Sequence, residues 1–261
     1  MVVLNFDNLD QYINLDSISK TDLINLNEII RKFTLSVPFE NINVQNNMQL
    51  ALNDQSMIRK ITVENRGGFC YENNHLFKNY LRSKGFNNYI ISGKINTPFG
   101  YWSRDGSHMS VITVIKGNKY VTDVGFGDLP MVSIPLTEDK IVEDINGKYK
   151  AKYINDKEFD LMKFNEDDEV WEILYRATDI EKNLEDFKDN IEYNRFDPNS
   201  IFVKKLIITQ IKLYGRVTMT EKNLTITRNK EKTKLGIDKN NYKKYLNEYF
   251  NIKGIEINTF K

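Results

Sequence analysis

Cys70 is the only cysteine in 261 residues, and it lies within Arg66-Gly67-Gly68-Phe69-Cys70-Tyr71-Glu72-Asn73-Asn74. A Gly-Gly turn leading into a helix puts the thiol in the helix's first turn. Unpaired N–H groups and the positive end of the helix dipole favour a thiolate there. A thiolate is a nucleophile that works with a base and with an acid that orients the base. His108 and Asp123 are the downstream candidates. In that arrangement Cys70 attacks an activated carbonyl. His108 takes the thiol proton and then serves as base for the incoming nucleophile. Asp123 fixes the imidazole tautomer and stabilises its charged form. The backbone N–H of Tyr71 is a candidate donor to the oxyanion.

The pairing of His108 with Asp123 depends on strand register. His108 begins one expected strand and Asp123 lies in the next. If Lys116-Gly117 is a two-residue turn, His108 pairs with Gly125 and Asp123 with Ser110. The two side chains are then diagonal neighbours on one face, roughly 7–8 Å apart at Cα. A turn at Gly117-Asn118 would instead leave them roughly 13 Å apart along the strand, too far to meet.

Blander readings compete. A lone cysteine is often a small buried hydrophobe. His75 is a rival base, but at helical spacing it projects about 140° away from Cys70, and Glu72 about 200° away. Asn73 and Asn74 share the cysteine's face and can hold the local hydrogen-bond network. One cysteine and two histidines give no metal-ligand spacing, so no metal is expected. Gly125-Phe126-Gly127 lets the backbone approach something closely, either as a barrel corner or as a pocket wall. Phe39, within Pro38-Phe39-Glu40-Asn41, is a second wall candidate. Glu40 is expected to pair with Arg66 as a nearly buried anchor for the Gly-Gly turn.

These residues need elements to hold them. Leu23, Leu26, Ile29, Ile30 and Phe33 recur at helical spacing, with Ser19 or Thr21 as cap and Pro38 as stop. A second helix is expected from about Cys70 to Lys84, buried along Leu76, Phe77, Tyr80 and Leu81 and ended by Gly85. From about Asn88 the period becomes two. Expected strands are Tyr89–Ile95, His108–Ile115, Lys119–Phe126, Val132–Leu136, Ile141–Ile145, Lys148–Ile154 and Glu169–Tyr175, with a hairpin turn at Asn146-Gly147. Such short strands suggest an antiparallel sheet or barrel. Ile180 to Tyr193 reads as a helix or crossing segment, and Asp197-Pro198-Asn199-Ser200 as a turn and boundary. Strand-like runs follow at Ile201–Leu213, Arg216–Thr220 and Leu224–Arg228, then a helix with Tyr242, Tyr245, Leu246, Tyr249 and Phe250 on one face.

Composition narrows the partners. Lys and Arg total 37 against 36 Asp and Glu, without the basic surplus of a general nucleic-acid binder. The cluster Lys230-Glu231-Lys232-Thr233-Lys234 reads as solvated surface. A single cysteine forms no intrachain disulfide and fits a cytoplasmic location. Met1-Val2-Val3-Leu4-Asn5-Phe6-Asp7 lacks the pattern of a signal peptide, and no apolar run reaches the ~20 residues of a membrane span.

Together these residues resemble the arylamine N-acetyltransferase family. The resemblance is carried in order by Val37-Pro38-Phe39-Glu40-Asn41, by the Arg66–Asn74 segment, by Ser107-His108-Met109 and by Val121-Thr122-Asp123-Val124-Gly125-Phe126-Gly127-Asp128-Leu129-Pro130. Asn199-Ser200-Ile201-Phe202 and Gly215-Arg216-Val217 extend it to nearly the whole chain. It implies an α+β fold around a cysteine-protease-like Cys-His-Asp core: a helical bundle (1–87), an antiparallel β-barrel (88–196) and a C-terminal α/β lid (197–261). It implies a ping-pong reaction in which acetyl-CoA, a co-substrate rather than a tightly bound cofactor, acetylates Cys70. An arylamine, hydrazine or N-hydroxyarylamine then takes the acetyl group. Cys70, His108 and Asp123 match the catalytic positions, while Phe39, Phe126 and Gly127 fall in segments that line the acceptor pocket of relatives. CoA contacts are not assigned. Asp128 places an acid where some relatives carry a base, and a free carboxylate there would weaken anionic acceptors by roughly 1 kcal/mol or more. The alternatives are a thiol hydrolase of papain or transglutaminase type, a macrolactam-forming amide synthase, and a non-enzymatic binder of CoA or aromatic amines.

Overall fold

The computed structural model describes residues 6–97, 100–137 and 140–260, so Met1 to Asn5 of the N-terminal stretch lie outside the described residues. Helices Asp7–Ile13, Leu23–Ser36, Asp54–Thr62 and Cys70–Ser83 make the N-terminal layer. Of the expected stripe, Leu26, Ile29, Ile30 and Phe33 are buried, packed with Leu9, Ile13, Phe77 and Tyr80, while Leu23, at the helix start, is exposed. Each such side chain contributes about 1.5–3 kcal/mol of transfer free energy. The cap of Leu23–Ser36 is Asp22, which accepts the Asn25 N–H at 3.0 Å, not Ser19 or Thr21. Helices Asp7–Ile13 and Asp54–Thr62 are short and went unread from periodicity.

Eight antiparallel strands form a nearly closed barrel. The order across it is Ile134–Pro135, Asn118–Val121, His108–Ile115, Asn87–Ile95, Val170–Lys182, Glu158–Asn165, Gly147–Tyr153 and Val142–Asp144. A bridge between Leu136 and Ala151 draws the two ends together. Ile91, Ile112, Tyr149, Phe159, Leu161 and Tyr175 fill the interior.

The hairpin carrying the histidine has the register that the chemistry needs: Ile115 pairs with Asn118 and Ile112 with Val121. Lys116 and Gly117 both have positive φ, 50° and 83°, as a tight hairpin turn requires. The expected strand Lys119–Phe126 stops early, at Val121. Past it, the N–H groups of Val124 and Gly125 leave the ladder and donate to Asn74 Oδ1 and Asp123 Oδ1.

Other departures have local causes. The Asn146-Gly147 hairpin turns one residue earlier, at Ile145-Asn146, because Asp144 Oδ1 takes the Asn146 N–H and Asp144 pairs with Gly147. The strand expected to end at Tyr175 runs on to Lys182, followed by a 3-10 turn and helix Lys188–Phe196. Ser200 accepts the Phe202 N–H and starts a one-turn helix, Ile201–Lys204, so the strand read from Ile201 begins at Ile208. Strands Glu158–Asn165 and Glu231–Gly236 carry no clear apolar alternation; the second is an exposed edge.

The last layer is a five-stranded antiparallel sheet, with Phe39–Glu40 pairing onto Ile208–Lys212 as its first strand. Helix Tyr242–Phe250 covers it through Leu246 and Phe250, against Ile208, Val217, Met219 and Leu224. Phe39 also bridges to Gly68, so one short strand ties the Gly-Gly turn to the C-terminal sheet. Among the described residues, no helix is long and apolar enough to cross a membrane.

Candidate active site

Cys70 opens the helix Cys70–Ser83 and is buried, at 2 % exposure. Its entry depends on absent side chains: a Cβ on Gly67 would lie 1.8 Å from the Pro38 carbonyl oxygen. The Gly-Gly turn rests on a buried quartet. Arg66 reaches Glu40 at 2.7 Å, as expected. Lys60, unforeseen, bridges Glu40 at 3.2 Å and Glu72 at 2.9 Å. Burial alone would raise the Glu40 carboxyl, but Arg66, Lys60 and the Ile42 N–H hold it below its usual range. Glu72 also accepts the Ala51 N–H, so it faces this quartet. Neither Glu72 nor His75 lines the cavity above Cys70.

His108 and Asp123 are brought together beside that sulfur. Asp123 Oδ2 lies 2.6 Å from His108 Nε2, and Asp123 Oδ1 accepts from Asn74 Nδ2 and the Gly125 N–H, each at 2.8 Å. With Nε2 occupied, Nδ1 is the ring nitrogen left to face Cys70, whose Sγ also lies 4.0 Å from the Ser107 carbonyl oxygen. Burial pulls the imidazole down, yet the charge and hydrogen bond of Asp123, with the contact to Cys70, push it up to about 10. Burial would likewise raise Asp123, but His108, Asn74 and the Gly125 N–H keep it below the usual carboxylate range. The His108 ring packs edge-on against Phe126, with centroids 5.4 Å apart, and against Tyr175 at 4.8 Å.

Asn74 does hold the local network, as its position on the cysteine's face suggests; Asn73 instead turns its amide to the Pro38 carbonyl. Tyr71 sends its hydroxyl to the Gly106 carbonyl at 2.9 Å and receives Asn194 Nδ2 at 3.1 Å. As the second residue of the helix, Tyr71 has no helical carbonyl one turn earlier to take its N–H. Tyr175 and Asn194 were not singled out from sequence. Tyr175 ends an expected strand, which was the one available signal.

Cys70 and His108 open on a cavity of about 520 Å³. Phe39, Phe126 and Phe202 give it apolar walls, and Trp102, Arg104 and Tyr193 also line it. Two sequence expectations fail here. Gly127 does not line this cavity: at φ +87° it backs onto Phe39 and Thr209 in a neighbouring small cleft. Asp128 is not a free carboxylate beside the pocket. Arg216 pairs with it, Lys163 reaches it at 2.7 Å and the Tyr149 hydroxyl at 3.3 Å. Its charge is therefore neutralised, and the expected repulsion of anionic acceptors loses its source. Among the described residues, no three His, Cys, Asp or Glu side chains cluster as metal ligands do.

A helical layer, a barrel and a second sheet meet at a buried thiol, imidazole and carboxylate, the arrangement of an α+β enzyme with a cysteine nucleophile. The N-acetyltransferase family model matches residues 22–258, and the chain belongs to the arylamine N-acetyltransferase family. It is 30 % identical over 209 residues to the arylamine N-acetyltransferase pineal gland isozyme NAT-3 of Gallus gallus, covering 73 % of this chain and 72 % of that one. Its fold matches an arylamine N-acetyltransferase from Bacillus cereus described with a unique Cys-His-Glu catalytic triad. That match has a TM-score of 0.87 at 23 % identity, over 97 % of this chain and 100 % of that one. It also matches the Mycobacterium marinum enzyme in complex with CoA, at a TM-score of 0.86 and 21 % identity, over 95 % and 93 % of the two chains.

Proposed function

We propose that this chain moves an acetyl group from acetyl-CoA to an arylamine, hydrazine or N-hydroxyarylamine by a ping-pong route through a Cys70 thioester. The reading is carried by one observation: the Cys70–His108–Asp123 line, with an imidazole raised to about 10, opens on an apolar cavity. The chemistry follows from that line. The Cys70 sulfur, with its proton on His108, attacks the acetyl carbonyl. Helix N–H groups, Tyr71 first among them, face the developing oxyanion. The carbon–sulfur bond to CoA breaks, and His108 returns a proton to the departing thiolate. The amine then attacks the Cys70 thioester, His108 accepts its proton, the carbon–sulfur bond to Cys70 breaks, and the amide leaves with the Cys70 thiolate restored beside the imidazolium. Asp123 keeps Nε2–H in place throughout and offsets the charge of the imidazolium. Phe39, Phe126 and Phe202 suit an aromatic acceptor, and the CoA bound by the M. marinum relative supports the donor. A reduced thiol at the centre suits a cytoplasmic location.

The deciding experiment is intact-protein mass spectrometry after brief exposure to acetyl-CoA, with Cys70→Ala as control. The expected result is one acetyl group on the wild type, none on the variant, and its discharge by an added arylamine. CoA release with no amine present would instead mark a hydrolase.

A further inference from the structure

Helix Lys188–Phe196 carries Asn190, Tyr193 and Asn194 at the spacing of one helical face, and that face meets the loop leading into His108. Three contacts make the meeting. The centre of the Tyr193 ring lies 4.4 Å from the Arg104 guanidinium carbon. Gly106, at φ +75°, leaves the room that Asn190 fills: a Cβ there would lie 2.6 Å from Asn190 Nδ2. The third contact runs through Tyr71, the residue after the nucleophile. Its hydroxyl donates to the Gly106 carbonyl at 2.9 Å and accepts from Asn194 Nδ2 at 3.1 Å. Asn194 Oδ1 accepts the Ser200 hydroxyl at 3.1 Å, and Ser200 Oγ accepts the Phe202 N–H at 3.2 Å. Tyr71, Asn194 and Ser200 are all buried.

This chain of hydrogen bonds runs in one direction. The Gly106 carbonyl can only accept, so the Tyr71 hydroxyl donates to it and takes its other bond as an acceptor. Burial, and the Cys70 sulfur beside it, push the phenol up, so it keeps the proton that it donates. The Asn194 amide must then turn its nitrogen to Tyr71 and its oxygen to Ser200. Gly106 stands two residues before His108 and one before Ser107, whose carbonyl oxygen lies 4.0 Å from Cys70 Sγ. A phenol fixed on Gly106 therefore fixes the loop against the nucleophile's own helix.

We propose that Asn194 is a positioning residue for the cysteine chemistry: it orients the Tyr71 hydroxyl, which ties the helix of Cys70 to the loop of His108 and so sets the reach from sulfur to imidazole. The inference deepens the acetyl-transfer reading above, and its first readout needs no acyl donor.

The test is a double-mutant cycle on Tyr71→Phe and Asn194→Leu. The first readout is the rate constant for alkylation of Cys70 by iodoacetamide, which consumes the thiolate that His108 sustains. Cys70 is the only cysteine, so the reagent reports on one sulfur. The second readout is acetylation by acetyl-CoA over a range of concentrations, followed by intact mass. Each single variant should slow alkylation about tenfold and saturated acetylation by about tenfold to 100-fold, as a line of reacting groups displaced by up to an angstrom requires. The half-saturating acetyl-CoA concentration should stay as in the wild type. The double variant should be no slower than Tyr71→Phe alone, because Asn194 acts through the hydroxyl already removed. Additive losses overturn the proposal. So does an unchanged alkylation rate in Asn194→Leu, which decides the point by itself if Tyr71→Phe does not fold; Asn194→Ala serves if leucine is not tolerated. A smaller reactive fraction with the rate constant kept would make Asn194 a residue of stability only, and a raised half-saturating concentration with alkylation unchanged would assign it to the donor; either overturns the proposal. A wild type that is alkylated but never acetylated would overturn the acetyl-transfer reading and leave the alkylation cycle to decide the role of Asn194.

Discussion

Asn74 Nδ2 lies 2.8 Å from Asp123 Oδ1, while Asn74 Oδ1 accepts the Val124 N–H at 2.9 Å. One side chain of the nucleophile's helix thus grips both the carboxylate and the backbone beside it. Its amide also donates to the Met109 carbonyl at 2.7 Å, next to His108. Cys70, His108 and Asp123 come from a helix, a strand and a post-strand loop, and Asn74 joins all three elements.

Asn74→Ala leaves Asp123 Oδ1 with the Gly125 N–H alone and strands the Met109 carbonyl. The expected loss of stability is about 1–3 kcal/mol for the unsatisfied buried group. Activity should fall about 100-fold, since an angstrom of misplacement in a reacting line costs that much. Urea unfolding and steady-state kinetics together check this. Unchanged kcat/KM would mean that Asn74 is only a packing residue.

Gly125→Ala tests the closest approach in the site. An added Cβ would sit 2.8 Å from Cys70 Cα and 2.7 Å from Asn74 Nδ2. Both neighbours are buried, and one is backbone, so the loop must retreat and take Phe126 and Asp123 with it. The expected outcome is a kcat/KM lower by about 100-fold with the fold retained. Circular dichroism and kinetics distinguish that from simple unfolding.

Much of this geometry was legible because it rests on local rules. The Lys116-Gly117 turn set the hairpin register, and that register put His108 within reach of Asp123. Helical spacing put Asn74 on the cysteine's face. What was not legible depends on tertiary partners. Lys60 looks like a surface lysine until the fold closes it between Glu40 and Glu72. Asp128 reads as a pocket acid until Lys163 and Arg216, 35 and 88 residues later in the chain, arrive beside it. Strand Glu231–Gly236 is an exposed edge whose alternation has no buried face to mark it, so it read as solvated charge.

Lys60→Met should be costly in a pH-dependent way. It leaves Glu40 with Arg66 as its cation and leaves buried Glu72 with the backbone N–H groups of Ala51 and Phe69 in place of a cation. Breaking a buried pair by removing one partner costs about 3–5 kcal/mol. Glu40 is depressed below its ordinary 4.5, so its contribution in the wild type is present above that value and lost as pH falls through the depressed one. The variant's Glu40 binds a proton more readily, so its deficit should shrink as pH drops from neutral toward 4.5. Urea midpoints at several pH values check this. A deficit that stays constant would argue for lost packing instead of an unpaired charge.

His108 sets the opposite limb. Its pKa is raised from 6.5 to about 10, so its stabilisation is complete below 6.5, declines above that, and is gone beyond about 10. Asp123 is depressed below 3.8, so its share is present above that value and lost as pH falls through the depressed one. Between these limits the ion pair is intact, and acetylation of Cys70 should be nearly flat with pH. Asp123→Asn removes the principal cause of the lift while leaving the burial that pulls His108 down. The expected result is an imidazole that titrates well below about 10 by NMR, with the acetylation plateau shortened on its alkaline side. The stability gap between wild type and variant should be widest between about pH 3.8 and 6.5, where both contributions are full, and should narrow above that as His108 loses its proton. If the His108 resonance of the wild type titrated near 6.5, the carboxylate would be orienting a neutral ring, and His108 would take the thiol proton only as Cys70 attacks.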